Sequence, residues 1–117
     1  MSLVIRSAEI WVAQQPIDFR RSIDGLCAYI QEYFGTSPQQ GFYVFYNHAR
    51  NRLKMLVWHH NGFMLLYKRL ERGRFPYYFS QQPGKQILTE QQLQGLLIGL
   101  DWQTITGWEG ISFEKYY

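Results

Sequence analysis

The sequence is short of several things that would each open a class of function. It has one cysteine, Cys27, which rules out an internal disulfide and a four-cysteine zinc site. No apolar run exceeds five residues, far below the roughly 18 that a membrane helix needs. The first residues carry one charge, Arg6, with no apolar block behind it. They do not read as a signal peptide, and the expected compartment is the cytoplasm. There is no glycine-rich phosphate loop and no GxSxG elbow. Acidic residues number nine. Asp18, Asp24 and Asp101 are the candidates for a metal-carboxylate site, and each has an ordinary alternative: a cap, a first helical turn and a position past a helix end. His48, His59 and His60 lack the i, i+4 spacing of a helical zinc pair. No metal and no cofactor are expected.

What the chain does have is aromatic bulk and localised positive charge. It holds 117 residues, 46% hydrophobic and 18% aromatic, enough for one domain with one modest core. Net charge is +3. Residues 50–74 carry Arg50, Arg52, Lys54, Lys68, Arg69, Arg72 and Arg74 against Glu71 alone, so this window is +6 and the remainder −3. Such a concentration suits a polyanion. It also suits a solvated strand surface with charges guarding its edges.

Periodicity predicts the elements. Ala8 to Ala13 alternates as a short strand. Asp18 or Ser22 is placed to cap a helix carrying Ile23, Leu26, Cys27, Ile30, Tyr33 and Phe34 on one stripe and ending at Gly35. Cys27 on that stripe reads as a small buried hydrophobe. Three strands follow at Phe42 to Tyr46, Arg52 to His59 and Phe63 to Arg69, with a hairpin signal at Asn61-Gly62. In the middle strand Leu53, Met55 and Val57 share one face. Arg52, Lys54, Leu56 and Trp58 share the other, which Tyr67 and Arg69 can extend. Lys68 to Phe79 reads as a loop or extended arm, and Gly35 to Gly41 and Ser80 to Lys85, the nearest things to linkers, read as loops inside one domain. Thr89 and Gln92 form a capping box for a second helix with Leu93, Leu96, Leu97 and Leu100 on its apolar stripe. That helix has no Lys or Arg between Thr89 and Leu100, so it is not a DNA-recognition helix, and nucleic-acid contact falls to the sheet and arm. The expectation is one α+β domain over residues 1–117, an antiparallel meander of three or four strands packed on two helices. An aromatic tail at 103–117 follows.

Certain runs resemble a known family. Asp18 to Leu26 resembles D-x-R-[KR]-[GS]-x-D-G-L. Arg52 to Trp58 resembles R-[IL]-K-x-L-x-W, and Gly62 to Phe75 resembles G-F-x-L-x-Y-K-R-L-E-x-G-R-F. Leu88 to Trp102 resembles L-T-x-x-Q-L-x-x-L-L-x-G-[IL]-D-W. The family is the TnpB-type accessory protein, the second reading frame, of IS-sixty-six insertion sequences, and the likeness covers about residues 10–102. The resemblance implies a role beside a separate transposase, which performs the cutting and joining. The expected partners are DNA at the element ends and the cognate transposase, with no membrane; oligomeric state stays open. The expected contact residues are Arg50, Arg52, Lys54, Lys68, Arg69, Arg72 and Arg74 for phosphate, and Trp58 and Tyr67 for stacking. Arg20 and Arg21 are secondary. Two other readings compete. One is a protein-docking module anchored by Phe75, Tyr77, Tyr78 and Phe79. The other is a metal-dependent nuclease using Asp18, Asp24 and Asp101.

Overall fold

A computed structural model describes residues 9–105. Five strands form one mixed sheet: β1 (Glu9–Ala13), β2 (Gly41–Tyr46), β3 (Arg52–His59), β4 (Gly62–Arg69) and β5 (Lys85–Leu88). Their spatial order is β4-β3-β2-β1-β5. The expected meander is present as β2-β3-β4, each pair antiparallel. The sheet is larger than expected in two ways. β1 joins β2 in parallel, and β5 adds antiparallel to the far side of β1. A parallel pair requires a crossover, which α1 (Ile23–Tyr29) supplies. β5 is four residues long and starts at Lys85, the last residue of the expected 80–85 loop.

Both faces of the sheet are covered, so the fold has three layers. Ile10, Val12, Phe42, Val44, Leu53, Met55 and Val57 face α2 (Glu90–Leu97) and the segment after β4. Ala13, Tyr43, Phe45 and Leu56 face α1. Every residue of β2 is buried, which explains a Phe-Tyr-Val-Phe-Tyr run with no polar alternation. The two predicted faces of β3 are observed, but the face carrying Lys54 and Leu56 is largely roofed over.

Local chemistry sets the element ends. Thr89 Oγ1 accepts from Gln92 N at 3.1 Å and Gln92 Oε1 accepts from Thr89 N at 2.9 Å, completing the capping box. α1 has no such device. Ser22 is its N-cap but makes no side-chain cap bond, and Asp18 instead accepts from Arg20 N at 2.9 Å. After Tyr29 the helix widens into a π turn over Ile30–Phe34 and stops at Gly35, whose φ is 66°. The wider turn shifts the apolar stripe: Tyr29 and Ile30 are buried while Tyr33 is exposed. The β3–β4 hairpin forms one residue earlier than expected. Its turn residues are His60 and Asn61, with His59 paired to Gly62 and φ of 54° at His60.

The segment after β4 is not a free arm. Phe75 and Tyr77 are 1% and 2% exposed, whereas Tyr78 between Tyr77 and Phe79 is 79% exposed. An extended chain sends alternate side chains to opposite sides, and here the odd residues go inward. Tyr77 stacks on Tyr46 at 4.6 Å and on Trp102 at 5.8 Å. Tyr77 Oη donates to Ala13 O at 3.1 Å, and Trp102 Nε1 donates to Tyr46 Oη at 3.3 Å, so the buried polar tips are paired. This corrects the expected docking anchors: Phe75 and Tyr77 are core, Phe79 packs against it, and Tyr78 alone of the four is exposed. Residues 106–117, most of the aromatic tail, lie outside the described residues.

Burial raises the Tyr77 hydroxyl to about 12 from an ordinary 10.0 and pushes Tyr46 up further. A raised folded value means the protonated ring's contribution is complete below 10.0 and is lost as pH rises through about 12. The stability difference between the native chain and Tyr77→Phe, from urea titrations, is expected to be constant at neutral pH and to shrink above the ordinary tyrosine value. A difference independent of pH would show that Tyr77 is not desolvated.

Candidate nucleic-acid interface

The structure separates the nine expected contact residues into three groups. Three cations are used inside the fold. Lys54, 8% exposed, donates from Nζ to Phe19 O at 2.6 Å and Arg21 O at 2.9 Å, and lies 4.9 Å from the Phe19 ring. Desolvation lowers its pKa, and the Asp18 charge partly opposes that. Lys68 donates to Leu97 O, at the end of α2, a helix with no basic residue in its own last turn. It thereby satisfies a terminal carbonyl and complements the helix dipole. Arg50, with φ of 58°, donates from Nη1 to Tyr77 O at 2.8 Å, while its own carbonyl accepts from Phe75 N at 2.6 Å. These two bonds hold the 75–79 segment onto the sheet. Arg50, Lys54 and Lys68 thus each have a bonding role within the fold, and of the three Lys54 alone is buried.

Trp58 forms a second group by itself. It is half-buried and edge-packed on Phe63 at 5.0 Å, beside the hairpin turn. Six residues of strand, about 20 Å, separate it from Arg52. It stands at the opposite end of β3 from Arg52.

The third group is Arg52, Tyr67, Arg69, Arg72 and Arg74, all exposed. Arg52 is directly opposite Arg69 across β3 and β4, and Tyr67 is opposite Lys54 in the next pair on that face. Directly opposed side chains have Cβ atoms about 5 Å apart, where like charges destabilise a sheet. Arg69 is relieved by an exposed ion pair with Glu71 at 3.0 Å. Among the described residues Arg52 makes no ion pair. Leu70 N donates to Asn51 O and Phe75 N to Arg50 O, so the loop carrying Arg72 and Arg74 returns beside the turn that precedes Arg52. That turn is fixed by Asn47, whose Oδ1 accepts from Asn51 N at 3.0 Å and Arg52 N at 3.1 Å. Four arginines thus lie at one end of the sheet, Arg52 and Arg69 on the face that carries the 53% exposed ring of Tyr67 and Arg72 and Arg74 on the adjoining loop.

The loop before α1 joins this surface. Lys54 anchors it through Phe19 O and Arg21 O, and the Phe19 ring packs edge-on against Tyr67 at 6.1 Å. Arg20 and Arg21 ride on the loop. Arg20 pairs with Asp18 at 2.6 Å, and these bonds hold the Asp18 carboxyl down at about 2. Arg21 donates to Gly25 O at 3.1 Å. Phe19 was not singled out in the sequence, because its contact with Tyr67 spans 48 positions and leaves no local signal. The other carboxylates have local duties. Asp24 sits in the first turn of α1, and Asp101 Oδ1 accepts from Gln103 N at 3.3 Å. Among the described residues no three His, Cys, Asp or Glu side chains are placed to hold a metal ion.

Lys54→Met keeps the buried stem and removes Nζ, leaving two carbonyls without their donor. It is expected to lower stability by about 1.5–3 kcal/mol, read from urea unfolding. An unchanged midpoint would mean that Lys54 does not hold the loop.

The sequence comparisons bear on this arrangement. The family described as IS66 Orf2 like protein matches residues 8–107. The chain belongs to that family. It is thus an accessory-type protein of an insertion sequence. The matched region takes in all five strands and both helices, together with the arginine surface. Two proteins of Sinorhizobium fredii are similar over most of their length. Uncharacterized protein y4jC is 33% identical over 101 residues, covering 86% of each chain. Uncharacterized protein y4hO is 31% identical over 99 residues, covering 84% of this chain and 85% of the relative. No solved structure matches the chain. Among the described residues no helix is long and apolar enough to cross a membrane.

Proposed function

We propose that this IS66 Orf2-like protein acts in transposition by holding DNA on the surface formed by Arg52, Arg69, Arg72 and Arg74. Arg20 and Arg21 border that surface and Tyr67 stands within it. The observation that carries the reading is the direct opposition of Arg52 and Arg69 on neighbouring strands beside an exposed aromatic ring. A like-charge pair opposes folding, and a phosphate between the two guanidiniums turns the repulsion into two charge-assisted hydrogen bonds. Arginine forks contact phosphate oxygens, and the Tyr67 ring offers a stacking face to an unpaired base. Among the described residues no helix carries a row of cations for a major groove, so the contact follows the backbone and depends little on sequence.

Fluorescence anisotropy with two labelled duplexes tests the reading, one bearing the element's terminal repeat and the other scrambled. Both are expected to bind with similar affinity and to be released by salt. Absence of binding to either at low salt would overturn the reading. Capture of the cognate transposase that survives nuclease treatment would then move the arginine surface to protein docking.

A further inference from the structure

β4 is an edge strand. It ladders with β3 on one side, and among the described residues no strand lies on the other. It runs for eight residues, Gly62–Arg69, with no proline. Its first apolar residues, Phe63, Met64, Leu65 and Leu66, are all only half-buried, on both faces of the sheet. Folded proteins protect sheet edges with short strands, proline or charge. The opposite edge follows that rule: β5 has four residues, begins at Lys85 and comes just after Pro83. β4 does not, since its cations come only at positions 68 and 69.

We infer that β4 pairs with the β4 of a second copy of this chain, antiparallel, about a two-fold axis through Leu65. The apolar run 63–67 is self-complementary about that residue. Phe63 falls opposite Tyr67, Met64 opposite Leu66, and Leu65 opposite itself. Lys68 falls opposite Gly62, so no two like charges meet. A two-fold axis normal to the sheet keeps each face on the same side in both copies, so apolar faces continue as apolar faces. The partner strand must be apolar on both faces over consecutive residues. Of the other runs of four or more apolar residues, 10–13, 42–46 and 55–58 belong to β1, β2 and β3, which are already paired on both sides, and 26–30 lies in α1 and its π turn. Residues 106–117 contain no apolar run longer than Tyr116-Tyr117, and residues 1–8 none longer than Leu3-Val4-Ile5.

The result is one continuous ten-stranded sheet. Arg69 of the two copies would stand about 26 Å apart along the paired strands, from eight residues at about 3.3 Å each. Both arginine surfaces would lie on the same side of the sheet. This inference does not depend on what the arginines bind.

Sedimentation velocity of the intact chain, from micromolar to several hundred micromolar, gives the first readout. A dimer is expected. The second readout is Leu65→Cys in a Cys27→Ser background. Opposed residues of an antiparallel pair have Cα atoms about 4.5–5.5 Å apart, within disulfide reach. Mild oxidation is therefore expected to convert that variant to a covalent dimer. A monomer at every concentration would overturn the inference. So would a dimer that fails to cross-link at position 65, since it would use another surface. A monomer whose alternate β4 amides resist hydrogen exchange would equally overturn it, by placing the chain's own residues on the edge.

Discussion

Phe75→Ala is expected to lower the unfolding free energy by about 3–5 kcal/mol. For a domain of this length that is a large share of a total near 5–15 kcal/mol. The residue is 1% exposed, packs on Tyr46 at 5.6 Å and belongs to the same core as Val12, Val44 and Leu96. Removing the ring leaves a cavity under a segment with no regular secondary structure to hold it in place. Collapse of the site is limited by Arg50, whose carbonyl and guanidinium fix the backbone at Phe75 and Tyr77. Tyr78→Ala, three residues on and 79% exposed, is expected to change stability by less than about 0.5 kcal/mol. Urea titration of both variants tests the contrast. Equal, small effects would return the 75–79 segment to the role of an exposed arm.

Replacing Arg52 and Arg69 together with alanine is expected to weaken duplex binding by about 100-fold, taking two charge-assisted contacts near 1.5 kcal/mol each. The same change removes an opposed pair of like charges, so stability should hold or rise by a few tenths of a kcal/mol. Opposite signs in binding and stability are the signature of residues kept for a ligand rather than for the fold. Lys68→Ala behaves the other way. It removes the donor to Leu97 O, so its main effect is expected on stability. A Lys68→Ala and Arg72→Ala pair would mix a structural residue with a surface one. The Arg52 and Arg69 pair avoids that ambiguity.

Much of the fold was legible because its signals are local. The α2 cap rests on two residues three apart, and the face division of β3 on simple alternation. The β3–β4 hairpin was legible to within one residue. β5 left no such mark: four residues, Lys85 to Leu88, become a strand only by pairing with β1. The parallel join of β1 to β2 is likewise a property of chain ends brought together across a helix. The site was legible as a charge cluster but not as a surface. Lys54 finds its acceptors 35 and 33 positions away, Lys68 its acceptor 29 away and Arg50 its acceptor 27 away. No window around these cations shows that they are occupied. The same distance concealed Phe19, whose loop Lys54 draws onto the arginine surface.

The salt dependence of DNA binding, compared between the native chain and the Arg52→Ala, Arg69→Ala variant, tests the central claim most directly. Each phosphate contact contributes about −0.9 to the slope of log K against log salt. The variant's slope is expected to be shallower by about 2 on this scale, with the loss similar for the terminal-repeat and scrambled duplexes. Coincident slopes and affinities for the two proteins would contradict the account and place the DNA on another surface of the molecule.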